Sequence, residues 1–260
     1  MQNTYNILAL GDAVSMQACD YLKKNLWDIR KKYNISFTVI NGENSADGNG
    51  ILPQSATALI DAGADVITGG NHTFRRREVY SYLDDSPVCV RPANMPDSAP
   101  GFGYKIIDAD GKRVLVINLL GNVYMDTSDN PFTCADKILE QNNGKYDYAI
   151  VDIHAEATSE KLALAHYLDS RVSVVFGTHT HVPTADEQIL EGGTGFVCDL
   201  GMVGVTNSIL GVRSEIIIEK FTTRMPVRFE QASGKISATG AIFSLDRESG
   251  KCINVERIKF

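Results

Sequence analysis

The stretch Tyr5-Asn6-Ile7-Leu8-Ala9-Leu10-Gly11-Asp12 decides the fold class: an apolar run of strand length stops on a glycine and delivers a carboxylate at its end. A polar, helix-compatible stretch to about Tyr33 leads into a second β-rich run over residues 35–40, which closes on another turn with a carboxylate, Asn41-Gly42-Glu43-Asn44. Strand, helix, strand in this order predicts a parallel, right-handed βαβ unit. The alternation continues with a helical pattern over residues 56–62, a short buried strand over 65–68 and a helical pattern over 75–83.

Working outward, the pattern changes after Gly101. Two β-rich segments, 104–107 and 113–119, flank Asp108-Ala109-Asp110-Gly111, a turn suited to a hairpin. A strand over 148–153 leads to a helix from about 160 to 168 with Thr158 or Ser159 as N-cap, and a strand over 172–176 follows. The last third reads as short strands over 195–198, 227–230, 235–245 and 252–258, with a helix near 214–221. No repeat, low-complexity tract or linker divides the chain, so residues 1–260 are expected to form a single domain of two packed sheets flanked by helices.

Composition excludes several classes. Hydrophobic content of 43% with 22% charged residues is that of a folded domain and not of a disordered chain. No apolar run approaches the roughly 20 residues that span a bilayer, and Met-Gln-Asn-Thr-Tyr lacks the basic start of a signal peptide. A soluble, cytoplasmic protein without membrane partners is expected. The five cysteines are scattered and form no Cys-x-x-Cys pair, so they read as reduced thiols. A net charge of −7 argues against broad nucleic-acid binding, which needs cationic side chains to neutralise phosphates.

Histidine carries the chemistry. Four of the five histidines stand in motifs that follow predicted strands: Asn71-His72, Asp152-Ile153-His154 and His179-Thr180-His181. With Asp12, Glu43 and Asn44, five strand ends offer two carboxylates, two carboxamides and four imidazoles, a donor set that suits a two-metal hydrolytic centre. Taken singly, Asp12 also fits a helix N-cap, Glu43 a solvated loop carboxylate and Asn44 an Asx-turn residue. The paired glycines before Asn71 let the backbone approach closely and its carbonyl oxygen suit a hard cation, with His72 beside it as an acid. His179 and His181, two apart, would project to one side of an extended chain. His166, inside a predicted helix with no motif around it, is assigned to structure. Arg75-Arg76-Arg77, just after Asn71-His72, reads as a solvated helix start with some capacity to attract phosphate.

The order Gly-Asp, Asn-Gly-Glu-Asn, Gly-Asn-His-Thr, Asp-Ile-His-Ala-Glu-Ala-Thr-Ser-Glu-Lys and Gly-Thr-His-Thr-His-Val resembles the calcineurin-like metallophosphoesterases, specifically the bacterial YmdB-like phosphodiesterase branch. The resemblance extends over nearly the whole chain, through Arg91-Pro92-Ala93-Asn94, Thr184-Ala185-Asp186 and Asp199-Leu200-Gly201-Met202. It implies a four-layer α/β/β/α sandwich with a dinuclear centre: Asp12, Glu43, Asn44 and His181 on one metal, and Glu43, Asn71, His154 and His179 on the other. Glu43 would bridge, and His72 would donate a proton. The wider superfamily has a histidine two residues after the first aspartate and an aspartate as bridge. Here Val14 and Glu43 stand in those places, as in the branch. Two departures from the branch are Ala13-Val14-Ser15, where a Val-Val-Gly-like loop is usual, and Phe74-Arg75 in place of Trp-Asp.

The resemblance further implies two divalent or trivalent ions, iron or manganese, with zinc or magnesium as alternatives, and a small phosphodiester substrate. Cyclic nucleotides are the implied class, 2′,3′-cyclic and also 3′,5′-cyclic, and a homo-oligomer is compatible with it. Two rival readings are a phosphomonoesterase and a metal-containing, nucleotide-sensing regulatory protein with little turnover.

Overall fold

A computed structural model describes residues 3–260. The first half runs β1 (Thr4–Leu10), β2 (Asp12–Ala13), α1 (Ser15–Lys32), β3 (Ile35–Asn41), α2 (Pro53–Ala62), β4 (Val66–Thr68), a 3₁₀ turn (Thr73–Arg75), α3 (Val79–Asp85) and β5 (Cys89–Val90). The middle runs β6 (Tyr104–Ala109), β7 (Lys112–Leu120), α4 (Pro131–Gln141), β8 (Tyr148–His154), α5 (Thr158–Leu168), β9 (Val174–Thr178), β10 (Gln188–Ile189) and β11 (Gly195–Val197). The chain ends with β12 (Met202–Val205), α6 (Ser214–Thr223), β13 (Ile236–Asp246) and β14 (Cys252–Lys259).

Two mixed sheets result. One has eight strands in the order β2-β12-β13-β1-β3-β4-β5, with β14 on β13; the other has six in the order β10-β11-β9-β8-β7-β6. Pairing is parallel across β1-β3-β4-β5 and across β7-β8-β9-β11, with a helix in every connection except that from β9 to β11.

The strands alternate their apolar residues between two cores. On β1, Tyr5, Ile7 and Ala9 enter the space between the sheets with Phe37, Val114, Ile150 and Phe176, while Leu8 and Leu10 point outward beneath α1 and α2. Ala18, Cys19, Leu22 and Leu26 form the buried stripe of α1, at helical spacing. On the far side, Ala135 and Leu139 of α4 and Leu164 and Leu168 of α5 cover the second sheet. Three apolar clusters between four layers make this the expected α/β/β/α sandwich. Among the described residues no helix is long and apolar enough to cross a membrane.

Four local expectations change. The stretch 227–230 alternates like a strand but pairs with no neighbour, and only the isolated Val212–Gln231 bridge lies beside it. The helix expected over 75–83 is divided: a 3₁₀ turn ends at Arg75 and α3 starts at Val79. Helix α4 was not anticipated, although Asn130 caps it by accepting from the Phe132 and Thr133 amides and Pro131 opens it. Neither Thr158 nor Ser159 caps α5, whose N-cap is Ala157. The hairpin turn is as expected, with Asp110 and Gly111 both at positive φ, 49° and 74°.

Candidate metal centre

The carboxyl ends of β1, β3, β4, β8 and β9 converge where the two sheets meet, which is where open α/β sheets place their ligands. Each end delivers one or two of the motif residues. Asp12, Glu43 and His154 are fully buried or nearly so, and Asn44 is buried beside them. A Cβ built on Gly70 would run into the Glu43 carboxylate and the His154 ring, so only glycine lets this turn close over the cluster.

Around Glu43 the ligand-type atoms crowd together. His154 Nε2 lies 3.2 Å from Glu43 Oε1, 2.9 Å from Asn71 Oδ1 and 3.1 Å from His179 Nδ1. Atoms of Glu43, His154 and His179 all fall within 4.8 Å of one another. On the other side His181 Nε2 stands 3.4 Å from Asp12 Oδ1 and 3.2 Å from the Asn44 amide nitrogen. That nitrogen also faces Glu43 Oε1 at 3.0 Å and Asp12 Oδ1 at 3.4 Å. Asn44 therefore presents its donor end to this group; offering its oxygen requires the amide to turn over.

The outer hydrogen bonds show where the ring protons sit. Thr178 Oγ1 donates its single proton to Asp152 Oδ1 at 2.8 Å and so accepts from His154 Nδ1 at 2.9 Å. Asp152 is fixed in turn by Thr68 and Asn41. His179 Nε2 faces the Glu156 carboxylate at 3.1 Å. Both rings thus turn a protonated nitrogen outward, which leaves the inward nitrogen as the one a metal would take. Four electron-rich atoms, Glu43 Oε1, Asn71 Oδ1, His154 Nε2 and His179 Nδ1, face one another, an arrangement that a cation resolves. The residues present fit a metal with mixed N/O ligands.

Without a bound cation, a proton on His154 supplies the positive charge. Burial works against charge on His154, yet the carboxylates of Glu43, Asp12 and Asp152 raise its imidazole to about 9. Burial lifts the Asp152 carboxyl to about 6, opposed by His154 and by its hydrogen bonds. Glu43 is held well below the usual carboxylate range by His154 and His72 despite its burial. His181 is raised, burial being outweighed by Asp12, and His179 is lowered by burial and by His154. The pocket is a sink for positive charge.

His72 stands at the edge. Its amide donates to Glu43 Oε2 at 2.8 Å, and its Nδ1 lies 3.0 Å from Asn44 Oδ1 and 3.3 Å from Glu43 Oε1. With two acceptors beside it, Nδ1 carries a proton and Nε2 is left to the cavity that His72 lines.

His179 and His181 do not reach the centre along an extended chain. Both have left-handed backbone, φ 106° and 64°, so one imidazole turns to His154 and the other to Asp12. This bent exit is held from behind by a buried ion pair: Lys161 Nζ donates to Asp199 Oδ2 at 2.7 Å and to the Thr178 carbonyl at 2.9 Å, and Asp199 accepts from the Thr180 amide. The sequence assigns no role to Lys161 or Glu156, and it reads Asn41 only as a turn former and Thr178 only as part of the strand exit. Lys161 and Asp199 are 38 residues apart and only the fold joins them. His166 is exposed on α5, and none of Arg75, Arg76 and Arg77 lines the cavity; Arg76 instead donates to carbonyls of the 47–49 loop.

The two departures have local accounts. Ser15, at the Gly-like position, takes φ 70°, and Phe74 packs edge-on against Tyr80 with ring centres 5.5 Å apart.

Comparisons with known proteins follow this geometry. The chain is 44% identical over 252 residues to a Bacillus subtilis (strain 168) protein named 2′,3′-cyclic-nucleotide 2′-phosphodiesterase, covering 97% of this chain and 96% of that one. A crystal structure from Thermus thermophilus, described as a hypothetical protein, superposes with a TM-score of 0.89 at 39% identity, covering 98% of each chain. One from Mycoplasma pneumoniae, described as a novel phosphatase, gives 0.93 at 31% identity, covering 100% of this chain and 94% of that one. Residues 8–258 match the family described as YmdB-like protein, and the chain belongs to that family.

Proposed function

We propose that this protein is a metal-dependent phosphodiesterase acting on 2′,3′-cyclic nucleotides. The observation that carries the reading is the convergence of the inward His154 and His179 nitrogens on Glu43 and Asn71, with Asp12, Asn44 and His181 beside them. Glu43, Asn71, His154 and His179 would hold one cation and Asp12, Glu43, Asn44 and His181 the other. Iron or manganese suits this thiolate-free set, with zinc or magnesium as alternatives. What bound cations supply at such a centre is acidification of a water and neutralisation of charge on phosphoryl oxygens. The name of the Bacillus relative supports the substrate class.

The chain's own residues do the rest. Asp152, through Thr178, holds the His154 ring in one tautomer, and Glu156 does so for His179. His72, fixed by its bonds to Glu43 and Asn44, presents Nε2 to the cavity; with both ring nitrogens protonated it passes the Nε2 proton to the departing alkoxide and keeps the Nδ1 proton.

The test is hydrolysis of a 2′,3′-cyclic nucleotide, a nitrophenyl phosphodiester and a phosphomonoester, after chelation and after restoring manganese or, without oxygen, iron. Metal-restored turnover of the diesters is expected. Failure with metal occupancy confirmed would sink the reading. His72→Ala should lower kcat on the cyclic nucleotide by about 10²–10⁴ and less on the nitrophenyl ester, whose leaving group needs no acid. Equal effects on both would remove His72 from the acid role.

A further inference from the structure

A cavity of about 460 Å³ opens over the centre, and its two ends differ in chemistry. One end is the charged floor, with Glu43, Asn44, His72, His179 and His181. The other is an apolar wall made by the 206–235 excursion between β12 and β13, with Leu210, Val212, Ile217, Phe221 and Phe229 facing the same space. Phe221 and Phe229 are 70% and 51% exposed, large aromatic surfaces left open to water at the mouth of the centre. Neither is needed to fill the core. Lys220 packs its ammonium 4.7 Å from the centre of the Phe229 ring.

A phosphate alone would use the floor and leave the wall uncovered. The ligand that uses both is anionic at one end, flat and apolar at the other, with a short joint between, and the cavity's size is that of a small-molecule site. We propose that the wall is the base-binding subsite, with Phe221 and Phe229 stacking the nucleobase while the phosphodiester lies on the floor. This rests on the phosphodiesterase reading and deepens it. Stacking of a base on an aromatic side chain tolerates any base, so the subsite favours nucleotides over other diesters without selecting strongly among the bases.

The experiment compares two esters on the metal-restored enzyme: a 2′,3′-cyclic nucleotide and the same cyclic phosphate on 1-O-methyl ribose, which lacks the base. In Phe221→Ala and Phe229→Ala the ratio of kcat/KM, nucleotide over base-free, should fall by roughly tenfold or more, through KM, and Phe221→Trp should keep the parent ratio. A proportional fall for both esters overturns the proposal, as does a fall that tracks a change in oligomeric state by sedimentation, which would make the wall a contact between copies. Because both rings stand on the surface, truncation leaves the core intact.

A second readout needs no turnover. Saturation of the aromatic protons of chelator-treated protein should transfer to the base protons of an uncharged nucleoside, which the metal-free carboxylates do not repel, and the double alanine variant should lose the transfer. Absence of transfer in the parent overturns the subsite. If the parent cleaves neither ester but the transfer is seen, the phosphodiesterase reading falls and the base site stands.

Discussion

The floor of the cavity and its wall differ in how they are held. The floor is made of strand ends whose polar side chains are mostly buried and bonded to several partners, as Asp152 is to Thr68, Asn41 and Thr178. The wall is an excursion whose ion pairs, Arg213 with Glu230 and Glu215, are about half exposed and whose aromatic rings meet water. A group that must keep a tautomer or a bond angle is placed where water cannot compete with its partners. A surface that only has to present a flat apolar face needs no such framework. For stability, substitutions should therefore be costly in the floor and nearly free in the wall.

The largest expected effect tests that contrast directly. Lys161→Met removes one member of a fully buried pair and leaves Asp199 without a counter-charge, so unfolding free energy should drop by about 3–5 kcal/mol. A denaturant midpoint close to the parent's would show that the bent exit to His179 and His181 is held by something else. Next comes Thr178→Val, nearly the same shape without the hydroxyl. It separates His154 from Asp152 and should weaken manganese or zinc binding by about 10–100-fold in a calorimetric titration. Unchanged affinity would mean that the tautomer is not set through Thr178.

Smaller effects sharpen the comparison. Ser15 holds a left-handed backbone at the floor's edge, and its amide bonds the Asn44 carbonyl at 2.9 Å. Ser15→Gly removes the side-chain penalty while freeing the unfolded chain, and a net gain of up to about 1 kcal/mol is expected in thermal unfolding. A loss would show that the hydroxyl contributes more than the strain costs. Last, Arg213→Ala breaks two exposed pairs in the wall and should cost no more than about 1 kcal/mol. A loss as large as that of Lys161→Met would erase the distinction between the two regions.

Much of the floor was readable before any coordinates, because each strand there ends in a motif of uncommon residues. An apolar run closing on Gly11-Asp12 or on Asn41-Gly42-Glu43 marks both the strand and the group it delivers. The partners behind that first layer were not readable. Lys161 sits in a helix like any solvated lysine, and only the packing of α5 on β9 brings it to Asp199. The His179-Thr180-His181 pair suggested an extended exit because alternation is the default for residues two apart, and the left-handed turn that separates the rings has no sequence mark. The 227–230 stretch alternates without forming a strand, and alternation alone cannot tell whether a neighbouring strand exists to pair with it. Helix α4 did carry its signature, Asn130-Pro131, and could have been found.

Gly70 shows what such a floor means for the history of the chain. Most positions drift, because a neighbour can yield by a few tenths of an ångström. Here the space a side chain would take is already held by the Glu43 carboxylate and the His154 ring, both immobilised in turn. Every substitution meets the same obstruction, so no sequence of small steps leads away from glycine while the two partners stay. The position can change only if the Glu43 carboxylate and the His154 ring move with it.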